Sequence, residues 1–272
     1  MYRDYKVAVV MPLHNEQRQI ECAIKRIPGF VDLIVAVDDA STDSSLEALS
    51  RISDERLSVL AHQRNRGVGA ATKTGYRHAL GAGVDLIAVM DGDGQMDGRD
   101  LSRLLDCAIA GADYVKGNRF LDSRTIGRMP RLRYIGNRFF SYLTRVAARF
   151  DANSNAGLDA HCGYTVIRTT ALERLLLDEL YDRYGFPTEM FFAALRAGLR
   201  VRCVPVTTVY GDEVSGINPI KVVPAILYLI GRAYLRRKFV SSNRLLAAVD
   251  SASISVNPSD PCHRWSMDPA RE

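Results

Sequence analysis

The chain has 272 residues, of which 47% are hydrophobic, 25% charged and 8% aromatic. These proportions exclude a disordered, collagenous or coiled-coil chain. With 36 Lys and Arg against 31 Asp and Glu the formal charge is +5, and no stretch approaches the roughly 18 to 20 consecutive apolar residues of a membrane span.

Five cysteines (Cys22, Cys107, Cys162, Cys203 and Cys262) are widely spaced and odd in number, with no Cys-x-x-Cys pair and no secretory leader ahead of the first strand. They are expected to be free thiols in a reducing cytosol.

In chain order, apolar runs of strand length fall at Val7 to Leu13, Leu33 to Val37, Leu57 to Ala61 and Leu86 to Met90. Helical spacing occupies the intervals Glu16 to Ile27, Ser44 to Ile52, Ala70 to Leu80 and Arg99 to Ala110, with Asp43 and Asp97 as expected N-caps. Strands alternating with helices predict an α/β fold, a parallel sheet with helices on both faces. One such domain is expected over residues 1–216, an amphipathic helix over 217–240 and a disordered Ser-, Pro- and Asp-bearing tail with the lone Trp265 over 241–272. The near-apolar run Val222 to Ile230 lies between Lys221 and the cluster Arg232, Arg236, Arg237, Lys238, so that helix could lie in a lipid interface or pack on the protein.

Ligands of parallel sheets gather at the carboxyl ends of the strands. Strand one is followed there by Pro12-Leu-His14-Asn15-Glu16, strand two by Asp38-Asp39-Ala-Ser-Thr-Asp43, and strand four by Asp91-Gly-Asp93-Gly-Gln95. Three acidic clusters facing one crevice repel unless a cation or hydrogen-bond donors sit among them. Asp91 and Asp93 flank a single Gly and can direct oxygens to one divalent ion, Mg²⁺ or Mn²⁺, with the Gln95 amide oxygen as a further ligand. A metal-bridged diphosphate is a good leaving group, which suggests transfer from a nucleotide diphosphate compound.

From Lys116 to Arg149 there are nine basic residues and one acid, Asp122, a local excess that attracts an anion. Arg128, Arg131, Arg138, Arg145 and Arg149 interleave with Phe139, Phe140, Tyr142 and Leu143, as on an amphipathic helix with a solvated outer face. A nucleic-acid partner is not expected, because it leaves the acidic strand ends unexplained.

The ordered series of motifs resembles the family 2 glycosyltransferases of GT-A fold, a Rossmann-like nucleotide-diphospho-sugar transferase architecture, and among them the dolichol- or polyprenol-phosphate hexose synthases. Besides the three strand ends, the matching residues are Asn65-Arg-Gly67-Val-Gly69 leading to Lys73 and Gly75, Gly117-Asn-Arg119, Cys162-Gly-Tyr164 and Pro187-Thr-Glu189-Met. The likeness runs from about residue 5 to residue 240. It implies that Pro12, Asn15, Glu16, Asp39, Lys73 and Asp91 bind the nucleotide, with Asp39 reading the base. It also implies that Asp91, Asp93 and Gln95 hold metal and diphosphate. Arg119 and Arg133 receive the lipid phosphate, with Asn137 standing where the family often has a small hydroxyl residue, and Ser215 lies in a loop, Tyr210 to Gly216, expected to close near the acceptor. Asp93, Arg119 and Arg133 are then the catalytic residues.

The expected activity is metal-dependent, inverting transfer of a hexose from GDP-mannose or UDP-glucose to a polyprenyl phosphate, by a cytoplasmic enzyme peripheral to the cytosolic membrane face. A phosphate monoester arrives anionic and needs neutralising rather than deprotonating, and Arg forks suit it. Two other readings stay open: transfer to a hydroxyl with Glu189 as general base, where Glu189 could instead cap or orient its helix, and a nucleotide-sugar-binding module without turnover. His14 and His161 are single imidazoles without metal-ligand spacing, and Cys162 is expected to pack.

Overall fold

Seven residues, Val7–Leu13, form a first strand (β1) buried along its whole length, as a strand covered on both faces requires. In the computed structural model, which describes residues 1–149, 158–209 and 219–241, it lies near the centre of a seven-stranded sheet. The other strands are β2 (Leu33–Asp38), β3 (Leu57–Ala61), β4 (Leu86–Val89), β5 (Tyr114–Asn118), β6 (Thr165–Arg168) and β7 (Val201–Pro205), in the order β3-β2-β1-β4-β6-β5-β7. All neighbouring pairs are parallel except those of β6, which runs antiparallel to β4 and β5.

Alternation along the strands divides the core in two. Ala8, Val10, Val35, Val37, Ile87 and Val89 point into one layer. It is covered by α3 (Val68–Gly81), α8 (Phe186–Arg196) and parts of α6 (Arg131–Ala148) and α9 (Pro219–Ser241). Val7, Val9, Met11, Ile34, Ala36, Leu86 and Ala88 point into the other, under α1 (Ile20–Lys25), α2 (Ser45–Ser50) and α4 (Leu101–Ile109). Two short helices, α5 (Ser123–Arg128) and α7 (Thr169–Leu172), complete the set.

The expected strands are present, with β2 one residue longer and β4 one residue shorter. The first helix begins at Ile20 rather than Glu16, because the preceding residues form a turn tied to the loop after β2. Asp97 caps a 3-10 turn, Gly98–Asp100, just ahead of α4, while Asp43 accepts from Ser45 N at 3.0 Å one residue before the cap position of α2.

Helices α6 and α9 both keep large apolar side chains exposed. Arg131 and Arg138 of α6 are exposed and Phe140 and Leu143 pack against the core, as the spacing predicts, but Leu132, Ile135, Phe139, Tyr142 and Val146 are exposed as well, and the fully buried residues are the small Ser141, Thr144 and Ala147. α9 packs on the protein through Ile226, Leu229 and Ile230, against α6 and α8, while Leu227, Tyr228, Tyr234 and Leu235 stay exposed. Among the described residues no helix is long and apolar enough to cross a membrane. The loop containing Ser215 and the tail beyond residue 241 with Trp265 lie outside the described residues.

Helix α3 crosses β1 closely through Gly75, where a Cβ would overlap a γ-methyl of Val10. Gly75→Ala gains about 1 kcal/mol of helix propensity but forces helix and strand apart, an overpacking cost of about 1–3 kcal/mol. The expected net result in urea unfolding is a lower midpoint. A raised midpoint would show that the crossing yields.

Candidate active site

The crevice is built by stitching one strand end to the next. After β1 the chain turns through Asn15, held at φ 62°, a left-handed conformation that Asn tolerates better than most residues. Its Oδ1 accepts from Thr42 N at 2.8 Å and its own N–H donates to Ser41 Oγ at 2.9 Å. Ser41 in turn hydrogen-bonds Asp38, and Glu16 N donates to Ser45 Oγ at 2.7 Å. This double turn fixes Glu16 at the mouth. Pro12 sits inside β1, buried and in register with Val37.

Asp39 is buried and accepts from His62 Nδ1 at 2.7 Å, Arg66 N at 2.9 Å and Gly67 N at 2.6 Å. Burial alone would raise its pKa, but these three donors outweigh it and keep the carboxyl below its ordinary value. An ionised carboxylate has about four acceptor positions, so a fourth donor can still be received. His62 Nε2 lies 3.0 Å from Thr74 Oγ1, which relays the brace to α3.

The loop after β4 is pinned from several sides. Gln95 N donates to Asp93 Oδ1 at 2.9 Å, Arg26 Nη1 reaches Gly94 O at 3.0 Å, and Val209 N reaches Gln95 O at 2.9 Å. Gly163 is pressed against the carboxylate of Asp91, where a Cβ would stand 3.1 Å from Oδ2. Asp91 is pushed up to about 7, first by burial and then by the charges of Asp93 and Glu16, with Arg119 opposing. Asp91, Asp93 and Glu16, from the first and fourth strand ends, therefore lie within electrostatic reach of one another. Among the described residues no three His, Cys, Asp or Glu side chains are grouped as a ready metal site.

Arg119, at the end of β5, is buried and forks onto Asp159, Nε to Oδ2 at 2.6 Å and Nη2 to Oδ1 at 2.9 Å. Asp159 is completely buried. Burial would raise its pKa, yet Arg119, with help from Lys116 and His161, holds the carboxyl below its ordinary value. Lys116, equally buried, donates to Cys162 O at 2.6 Å, and burial lowers its pKa. His161 Nδ1 lies 3.2 Å from Thr188 Oγ1, and burial pulls it down to about 4, so the ring is neutral at pH 7. Cys162 is buried with its thiol pushed up to about 11, again mainly by burial, consistent with packing rather than reactivity.

Sequence reasoning missed two residues here. Asp159 had as its signal only an acid three residues ahead of Cys162-Gly163-Tyr164. The other is Tyr184, whose phenol lies within electrostatic reach of Arg133, Arg119, Asp91 and Asp159; burial raises its pKa and the two arginines oppose that. Tyr184 therefore marks where the basic and acidic sides of the crevice meet. Arg133 and Asn137 are half-buried on α6.

Two residues have other partners than the sequence suggests. Lys73 does not stand among the strand-end carboxylates: its ammonium donates to Leu180 O at 2.9 Å and pairs with Asp182. Gly69 also abuts the backbone of Tyr181 and Asp182, so the glycine-and-lysine motif holds the loop that carries Tyr184. Glu189 is buried on α8 and pairs with Arg232 of α9 at 2.8 Å and with Arg196 at 3.3 Å. The first of these contacts ties α8 to α9.

A mostly parallel sheet of this order, with acidic strand ends at one edge, is an architecture of GT-A type. Residues 8–176 match the model of the family described as Glycosyl transferase family 2, and the chain belongs to that family: it is a glycosyltransferase. It is 31% identical over 210 residues to undecaprenyl-phosphate mannosyltransferase of Micrococcus luteus, covering 75% of this chain and 84% of that protein. It is 25% identical over 225 residues to UDP-N-acetylglucosamine–dolichyl-phosphate N-acetylglucosaminyltransferase of Methanococcus voltae, covering 77% and 88%. Glucosyl-3-phosphoglycerate synthase of Mycobacterium tuberculosis, crystallised with Mn²⁺, UDP and glucosyl-3-phosphoglycerate, shares the fold with a TM-score of 0.61 at 17% identity, over 86% of this chain and 80% of that one.

Two outcomes are expected. Asp159→Asn leaves the Arg119 guanidinium buried without its counter-charge and lowers stability by about 3–5 kcal/mol, read as a fall in urea midpoint. For Asp91, a carboxyl whose folded pKa exceeds its ordinary 3.8 binds its proton more tightly when folded. Stability of the metal-free protein is then lost as pH climbs from about 4 to about 8. Asp91→Asn removes that loss, so its melting temperature should exceed the parent's by more at the upper end of the range than at the lower. A difference constant with pH would refute the assignment.

Proposed function

We propose that this enzyme moves a hexose from a nucleoside diphosphate sugar, GDP-mannose or UDP-glucose, onto a polyprenyl phosphate. The observation that supports this is the meeting of charges around Tyr184, which lies within electrostatic reach of Asp91 and Asp159 and of Arg119 and Arg133. A crevice so divided suits a donor held through its diphosphate at the acidic edge and an anionic acceptor drawn to the basic edge. The relatives from Micrococcus luteus and Methanococcus voltae, named for lipid-phosphate acceptors, support the same acceptor class.

The donor set fits a divalent ion. Asp91 is raised chiefly by burial and then by the charges of Asp93 and Glu16, a crowding of carboxylates that a hard cation relieves, and Mg²⁺ or Mn²⁺ prefers such oxygen ligands. Asp91, Asp93 and Gln95 would hold it, and when bound it would neutralise the departing diphosphate. Asp39 offers its remaining acceptor position to an N–H of the base, and Glu16, with its backbone fixed by Ser45, borders the same pocket. Arg133, with Asn137 one turn along α6, orients the acceptor phosphate. The charge of Arg119 is already matched by Asp159, so its contribution is to hold the floor as well as to meet the phosphate. No proton need be removed from the nucleophile, which attacks the anomeric carbon from the face opposite the leaving group and inverts it.

The test pairs donor binding with turnover. UDP or GDP should raise the melting temperature more with Mn²⁺ than in chelator, and Asp93→Ala should lower transfer to a polyprenyl phosphate by at least about a hundredfold. Thermal shifts indifferent to metal would overturn the site. Glu189→Gln discriminates the acceptor: below its melting temperature it should keep kcat within about threefold while melting earlier. Loss of turnover in folded Glu189→Gln would instead identify a general base and a hydroxyl acceptor.

A further inference from the structure

Helix α6 leaves a run of large apolar side chains uncovered. Ser141, Thr144 and Ala147 are buried and Phe140 and Leu143 pack partly buried on the core, yet five large apolar side chains face out: Leu132 is 84% exposed, Ile135 63% and Phe139 54%, followed by Tyr142 and Val146. These five recur at three- and four-residue steps, forming one stripe about four turns long. Single exposed apolar residues are ordinary, but a continuous stripe marks an interaction surface. Arg131, Arg138 and Arg145 follow one edge of the stripe at seven-residue intervals, Arg145 lies against the Tyr142 ring, and residues 123–149 contain no acid. On the adjoining α9, exposed Leu227, Tyr228, Tyr234 and Leu235 repeat the pattern, again without an acid between residues 219 and 241.

We infer that the outward stripe of α6 docks on an anionic lipid surface, its apolar side chains entering the acyl boundary and its arginines meeting headgroup phosphates. Charge decides the occupant. A second copy related by a two-fold axis would set Arg131, Arg138 and Arg145 against their own images with no acid to pair them, whereas anionic lipid supplies the missing charge and an apolar layer together. The inference rests on the lipid-linked acceptor proposed above, and it places that acceptor: Arg133, on the inward side of the same helix, faces the crevice. One helix would then touch the membrane with one side and the sugar-transfer site with the other.

The test is flotation of the full chain with vesicles of equal parts phosphatidylglycerol and phosphatidylcholine, comparing the parent with Ile135→Gln/Phe139→Gln. Both side chains are exposed, so the variant should fold and melt like the parent. The parent should float and the variant's partition coefficient should fall about tenfold or more. Arg131→Glu/Arg138→Glu should weaken flotation on these vesicles but not on pure phosphatidylcholine. Equal flotation of parent and Ile135→Gln/Phe139→Gln, no flotation of the parent, or a parent dimer that the variant turns into a monomer would each overturn the inference. Turnover separates it from the acceptor reading. The variant should match the parent on a short water-soluble prenyl phosphate and fall behind on a long polyprenyl phosphate in vesicles. A parent that floats but uses neither acceptor would sink the acceptor reading alone.

Discussion

The buried pairing of Arg119 with Asp159 is the contact on which both halves of the crevice depend. It joins the end of β5 to the segment leading into β6, and Lys116, bonded to the carbonyl of Cys162, fastens the same segment from below. That segment carries Gly163, which lies against Asp91. A charge pair inside a protein gains little over apolar packing and is very costly to break on one side only. Its value here is geometric: it sets a cation and an anion at fixed places under the crevice.

The acidic edge of the crevice was legible from the chain because its signals are local. Four apolar runs each bounded by a polar cluster define β1 to β4, and parallel pairing brings their carboxyl ends to one edge. The basic edge was less legible. β6 is a four-residue strand whose reversed direction depends on the long connection from β5, and no periodicity encodes that. Asp159 is far in sequence from Arg119, and Tyr184 reaches the crevice only because Lys73 and Gly69 hold its loop. Lys73 shows the limit of motif reading: the residue matches the motif, yet its ammonium is engaged by Leu180 and Asp182.

Helix α6 shows a different limit. Hydrophobic spacing establishes that a helix has two unlike faces, not which of them the protein covers. Here Ser141, Thr144 and Ala147 let the helix sit close to its neighbours, and Ser141 Oγ accepts from Ala160 N at 3.0 Å. Phe140 and Leu143 pack beside them, while Leu132, Ile135, Phe139, Tyr142 and Val146 stay outside.

The contact of Glu189 with Arg232 makes the last helix part of the catalytic domain's own electrostatics. An enzyme shortened to end before α9 would leave a carboxylate among apolar side chains with only the longer Arg196 contact, and would bare Leu229 and Ile230's seat on α8 to water. Attempts to gain solubility by trimming the C-terminal basic helix would therefore trade one exposed surface for a worse one, unless Glu189 were changed to an uncharged residue at the same time.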